Sequence, residues 1–176
     1  MLNRTIVRAR LRHFKIVTPS LLTLTTAAPC EITAASLLQA DVQAAIDLAT
    51  YGNTVCIPAG DATWSTGVVI TKGIHLRGAG DGITNITSAL ASGYLLRYDP
   101  DATSITNDMP FSINRMLLDI NSNASGGIHI DPNTTGTQKL TKVALHRMTI
   151  KNVGGTGGSA EEPAIRIGER GNLFGV

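Results

Sequence analysis

Leu96-Arg97-Tyr98-Asp99-Pro100 is answered by Ile128-His129-Ile130-Asp131-Pro132, and the offset between them is 32 residues. At the same offset, with no gap, Phe111-Ser112-Ile113-Asn114-Arg115-Met116-Leu117-Leu118 falls on Val143-Ala144-Leu145-His146-Arg147-Met148-Thr149-Ile150. Asp99, Pro100, Thr103, Arg115 and Met116 recur unchanged, and apolar residues match at 96, 98, 111, 113, 116 and 118. Self-similarity at such a period is the signature of a repeat architecture in which each copy is one unit of a stack. Within a copy, short alternating runs are separated by Gly, Asn, Asp, Thr and Ser, which predicts three strands per unit.

Working outward, a third copy starts at Ala164-Ile165-Arg166-Ile167-Gly168, after a Gly-rich loop at Gly154–Ser159. A degenerate earlier copy reads from Val55-Cys56-Ile57 through Val68-Val69-Ile70 to Ile74-His75-Leu76. The strands expected after Asn53 are Thr54–Ile57, Gly67–Ile70, Ile74–Arg77, Asn85–Thr87, Tyr94–Tyr98, Phe111–Ile113, Met116–Ile120, Gly127–Ile130, Lys142–Leu145, Met148–Ile150 and Ala164–Ile167. One coil cannot bury its inward residues alone, so coils must stack at the strand spacing of about 4.8 Å. Leu96 should then lie on Ile128, Ile113 on Leu145 and Met116 on Met148. The lowest coil would expose an unpaired edge. Just before it, Leu38, Val42, Ala45, Ile46 and Ala49 recur at helical spacing, predicting a helix over 36–51, capped by Ser36 and stopped by Gly52-Asn53. No second helical pattern follows. The reading is an all-β, right-handed parallel β-helix over 34–176, with this helix as its cap, then three coils and part of a fourth.

Composition agrees. Of 176 residues 16% are charged and 4% aromatic, while glycine numbers 18, a mix suited to strands and turns. Net charge is +2, but residues 1–15 carry five of the fifteen basic groups (Arg4, Arg8, Arg10, Arg12, Lys15) and no acid. The body is therefore near −3 (ten basic against thirteen acidic groups), which speaks against a nucleic-acid surface. Segment 1–33 reads as a signal-like or disordered leader: a basic start, a short apolar run around Leu21–Leu24, and small residues at Thr26–Ala28. That run is too short to span a bilayer. Cys30 and Cys56 are too few for a disulfide framework; they read either as one bridge in an exported protein or as two separate thiols.

Asp41-Val42-Gln43-Ala44-Ala45-Ile46-Asp47, followed by Gly52-Asn53-Thr54-Val55-Cys56-Ile57-Pro58-Ala59-Gly60, resembles the opening of proteins in the pectate-lyase-like (pectin-lyase-fold) superfamily. There a capping helix leads into a first strand ending in such an Ile-Pro-Ala-Gly turn. Gly73-Ile74-His75-Leu76-Arg77-Gly78-Ala79-Gly80 is similar to the next strand of that opening, and Ile165-Arg166-Ile167-Gly168-Glu169-Arg170-Gly171 to a later coil. The resemblance spans about residues 36–176. It implies a secreted, cell-surface or virion-borne protein that meets polysaccharide: a lyase or hydrolase, or, as the alternative, a non-catalytic adhesin, tail fibre or structural rod. In such lyases acidic residues hold Ca²⁺, and in such hydrolases paired carboxylates act. No catalytic motif of the superfamily carries over, so the catalytic residues stay unassigned. The chain reads as the N-terminal portion of a longer solenoid ending at Leu173-Phe174-Gly175-Val176, with an open edge suited to end-to-end self-association.

Candidate chemistry is limited. Asp99 and Asp131 would sit one coil apart, placed to share a cation such as Ca²⁺, although Asp-Pro is also a strong turn starter. Arg115 and Arg147 would stack on an outer face as a basic ladder for acidic sugars, or as a solvated face, with Arg97 and His129 in a similar pair. Trp64, expected in the turn after Gly60, and Tyr98 could stack on sugar rings or fill the core. His13, His75, His129 and His146 show no metal or triad spacing. Gly78-Ala79-Gly80-Asp81-Gly82 opens no helix, so it is not a nucleotide loop. Asn85-Ile86-Thr87, Asn123-Ala124-Ser125 and Asn133-Thr134-Thr135 fit glycan acceptor patterns.

Overall fold

A computed structural model describes residues 29–131, 140–154 and 163–168. The leader to residue 28, Pro132, the acceptor pattern at Asn133, most of the Gly-rich loop and the terminal Leu173–Val176 lie outside the described residues.

The strands are β1 (Ile32–Thr33), β2 (Thr54–Cys56), β3 (Gly60–Trp64), β4 (Val68–Ile70), β5 (His75–Arg77), β6 (Thr84–Ser88), β7 (Tyr94–Tyr98), β8 (Phe111–Asn114), β9 (Leu117–Asp119), β10 (Gly126–Ile130), β11 (Val143–His146), β12 (Thr149–Lys151) and β13 (Ile165–Ile167). Helices are α1 (Gln39–Leu48) and α2 (Ala102–Thr106). From β2 onward each set of three successive strands feeds three different sheets, here A, B and C, and all pairing is parallel. Sheet A runs β1-β2-β5-β8-β11, sheet B β12-β9-β6-β3 and sheet C β13-β10-β7-β4. The molecule is a parallel β-helix.

The 32-residue offset is the observed register: Leu96 pairs with Ile128, and Ile113 with Leu145. In-register stacking turns inward side chains into columns. Sheet A carries Ile32, Val55, Leu76, Ile113 and Leu145. Sheet B carries Ala62, Ile86, Leu118 and Ile150. Sheet C carries Val68, Leu96, Ile128 and Ile165. Apart from the terminal Ile165, these columns belong to one continuous core, each rung covering the apolar surface of the one below. Tyr98 and Phe111 add a stacked aromatic pair, with ring centroids 3.8 Å apart.

The structure corrects the strand phasing at the base. Ile74–Leu76 does not end the first coil; β5 opens the second, and the strand missing from the first coil is β3. Trp64 therefore ends a strand rather than sitting in a turn. Helix α1 is shorter than 36–51. Its N-cap is Leu38, with no side-chain cap bond. The Ser36 hydroxyl instead accepts from the Leu38 N–H and donates to Asp41. The backbone leaves the helix at Ala49, before Gly52. Helix α2 was not expected; its first turn is held by the Asp101 carboxylate accepting from the Ser104 N–H at 2.7 Å.

Helix α1 closes the base as expected, burying Val42, Ala45 and Ile46. It also treats the edge of sheet C, where β4 is the last strand. The Gln43 side-chain amide accepts from the Val69 N–H and donates to the Val69 carbonyl, both at 2.9 Å. Gln39 donates to the Gly67 carbonyl at 3.0 Å. A primary amide carries the same donor and acceptor as a peptide group, so Gln43 pairs the edge as another strand would.

Candidate functional site: a basic corner between sheets A and B

Each strand of sheet A ends where the chain must turn sharply toward sheet B. In the two upper coils a single residue makes the bend in the left-handed region: Arg115 at φ 60° and Arg147 at φ 53°. Such a conformation costs a non-glycine residue about 1–2 kcal/mol, so the surroundings must hold it. The Arg115 N–H donates to the Arg147 carbonyl at 2.9 Å, which places the two arginines in successive rungs. The Arg115 guanidinium reaches back one coil, with Nη2 2.7 Å from the Ala79 carbonyl oxygen. Gly78 lets the Arg115 backbone lie close over it: a Cβ there would lie 2.1 Å from the Arg115 carbonyl oxygen.

Below Arg115 the corner holds a cavity of about 220 Å³. Its walls are the Cys30–Cys56 disulfide, Ile57-Pro58, Gly78-Ala79 and the side chains of Arg77 and Arg115. The bridge settles the two readings of the cysteines. Arg77 stands on the outer face of β5, with Cys56 in the rung below and Asn114 in the rung above. Its Nη2 lies 3.1 Å from Cys30 Sγ. Two guanidiniums thus face the cavity, and a guanidinium presents a planar fork of donors matched to carboxylate or sulfate oxygens.

Beside the corner, the outer face of sheet A bears His75 and Ser112 in adjacent rungs, with Nδ1 and Oγ 2.8 Å apart. The Glu31 carboxylate accepts from the Thr54 N–H at 2.6 Å, and that bond foremost lowers the Glu31 pKa.

The other sequence-derived candidates fall elsewhere. Trp64 is 1% exposed, its indole N–H bonded to the Leu37 carbonyl at 2.9 Å, so it packs under the cap. Tyr98 is fully buried on Phe111, and burial pushes its phenol up to about 12, against the opposing effect of the Ser104 hydroxyl. Neither ring offers a face to a sugar. Asp99 and Asp131 do occupy successive rungs, the Asp131 N–H donating to the Tyr98 carbonyl, but the Asp99 carboxylate is paired with Arg97 at 3.0 Å. Among the described residues no three His, Cys, Asp or Glu side chains converge as metal ligands. Arg97 and His129 stack on sheet C as expected, with Arg166 above them, and the Tyr94 ring packs on His129 at 4.9 Å between centroids. No described helix is long and apolar enough to cross a membrane.

Sequence reasoning missed Arg77 and the disulfide wall as site elements. The step from His75 to Ser112 is 37 residues, so the 32-residue offset does not bring Arg77 or Gly78 alongside Asn114 and Arg115. The signal that did exist was the repeated Arg-Met dipeptide at 115–116 and 147–148.

No family model matches the chain, and no curated protein matches it in sequence. Among solved structures, the A-module of the mannuronan C-5 epimerase AlgE4 from Azotobacter vinelandii superposes with a TM-score of 0.53 at 22% identity, covering 78% of this chain and 40% of that one. ORF18 of Geobacillus virus E2 superposes with a TM-score of 0.45 at 21% identity, over 64% of this chain and 21% of that one. The first match shows a shared fold, the right-handed parallel β-helix; the chain spans two fifths of that module's length.

Proposed function

We propose that this chain is a carbohydrate-binding portion of a β-helix protein that works on a cell surface, on a virion or in the extracellular space, and that it holds an acidic polysaccharide against the corner between sheets A and B. The observation that carries this reading is the succession of Arg77, Arg115 and Arg147 along the corner, the first two lining one cavity and the third lying in the next rung. A polymer of charged sugars repeats along its length, as these cations do along the helix axis, so one chain can meet several rungs. The fork geometry of arginine favours carboxylate or sulfate over neutral hydroxyls. Two further facts support it. The epimerase A-module that shares the fold is named for a polyuronate substrate, and the disulfide fits an oxidising compartment.

The test is calorimetric titration of the chain with oligomannuronate and with a neutral glucan of equal length. Saturable binding of the acidic oligomer, weakening as salt is raised, is the expected result. Binding of neither, or of the glucan alone, would overturn the reading.

A further inference from the structure

The glycine-rich stretch Gly78-Ala79-Gly80-Asp81-Gly82 forms the link from β5 to β6 and rises across the corner. Gly78 and Ala79 belong to the cavity wall, and the Ala79 carbonyl accepts from Arg115 of the coil above at 2.7 Å. Two residues on, the Asp81 carboxylate accepts from the Thr149 hydroxyl at 2.8 Å. Thr149 opens β12, which lies two strands above β6 in sheet B. At a rung spacing of about 4.8 Å, the link therefore climbs about 10 Å along the axis. Its shape is set locally: the Ile83 and Thr84 N–H groups both donate to the Gly80 carbonyl, and Gly82 turns at φ 74°. Arg147 is exposed and stands two residues before Thr149. Asp81, also exposed, thus brings a carboxylate to the upper end of the arginine series. A ligand carboxylate reaching for Arg147 would meet like charge there.

We infer that the β5–β6 link is a strap guarding the corner, with Asp81 as a built-in competitor of the acidic ligand. Closed on Thr149, it bars the Arg147 end of the series; as it swings off, ligand carboxylates enter. The tether suits such a role because it is a single solvent-exposed hydrogen bond, weak enough for a charged ligand to displace. The root of the strap stays fixed meanwhile, since the Gly78 N–H donates to the Asn114 carbonyl and the Ala79 N–H to the Thr84 hydroxyl. The glycines that open no helix thus serve a link that crosses two coils.

The ligand part rests on the acidic-polysaccharide reading, whereas the tether does not, so the test has two arms. In the first, with no glycan present, an endoproteinase that cuts before aspartate attacks the Gly80–Asp81 bond, and mass spectrometry follows the product. Thr149→Val should be cut about fivefold faster than the natural chain, and Thr149→Ser, which keeps the hydroxyl, at the natural rate. Equal rates in the valine variant, or equally fast cutting of the serine variant, would refute the tether. In the second arm, oligomannuronate is titrated calorimetrically into the natural chain and Asp81→Asn, which loses the charge but keeps an oxygen for Thr149. Binding about threefold tighter in the variant is expected, along with faster cutting at Gly80–Asp81 in the natural chain at saturating ligand. Unchanged or weaker affinity, or protection of that bond by ligand, sinks the competitor role. If oligomannuronate binds neither chain, the polysaccharide reading falls and the guarding role with it, while the first arm still decides whether the strap is tied to Thr149.

Discussion

The two ends of the described stack are built differently. At the base, the apolar rungs Val55 and Val68 are fully buried, because β1, α1 and Trp64 close over them. At the other end the same columns finish on Leu145 and Ile150, partly buried, and on Ile165 and Ile167, each 41% exposed. The residue types are alike, and so are the strand lengths. What differs is whether a rung has a neighbour on both sides. In a parallel stack, burial is a property of position along the axis rather than of the side chain, so identical chemistry contributes unequally to stability along it.

That contrast can be tested from its strongest expected effect downward. Trp64→Ala removes the anchor of the cap and should cost about 3–5 kcal/mol, read from urea unfolding followed by circular dichroism. A loss below about 1 kcal/mol would mean that the cap does not secure the base. Next, Ile128→Ala and Ile165→Ala alter adjacent rungs of one column. The buried position should lose about 2–5 kcal/mol and the terminal one less than about 1 kcal/mol; equal losses would show that the terminal rung is covered as fully as the inner one. A smaller effect is expected for Gln43→Ala, about 1 kcal/mol, together with faster amide exchange at Val69. Unchanged exchange there would deny the glutamine its edge-pairing role.

The mildest test uses acid. The top coil is tied down by carboxylates: Asp108 accepts from the Thr141 hydroxyl and N–H, and Asp119 from Asn152 and Lys151. Burial works against ionisation of both. At Asp108 the bonds from Thr141 and Lys142 outweigh it, and at Asp119 those from Asn152, Asn121 and Lys151, so each pKa lies below the ordinary 3.8. A depressed folded-state pKa contributes stability that is present above the unfolded value and lost as pH falls through the folded one. Both side chains are only partly buried and still meet solvent, so screening keeps the contribution small. Below about pH 4, amides of β11 and β12 should lose exchange protection before Val69 in β4, which is held by a neutral side chain. Simultaneous loss would erase the distinction between the ends.

How much of this was legible depended on how regular each coil is. The coils joined by the 32-residue step could be read because Asp99-Pro100 and Arg115-Met116 recur, and their strands fell within a residue or so of the expected limits. The first coil hid itself. Its steps to the second are 21, 24 and 28 residues on the three sheets, so no constant offset exists. Strand β3 presents only Ala62 and Trp64 inward and follows a Pro-Ala-Gly turn, which reads as loop. Strand β1 has two residues, too few to show alternation. At the corner, nothing in an arginine codon announces a left-handed backbone; its recurrence at the same point of two coils is all the sequence offers. Residues that meet through unequal spacing, such as Arg77 and Arg115, are brought together only by the fold.

The amide of Gln43 has one more implication. By mimicking a peptide group, it occupies the hydrogen-bonding edge of sheet C at the base, so on that sheet accretion of new coils is favoured in one direction, away from α1. Since synthesis proceeds from the N-terminus and early segments can fold first, the blunt end is in place before any later strand emerges. On sheet C each nascent strand then meets one growing edge, and the alternative of docking on the wrong side is already disfavoured.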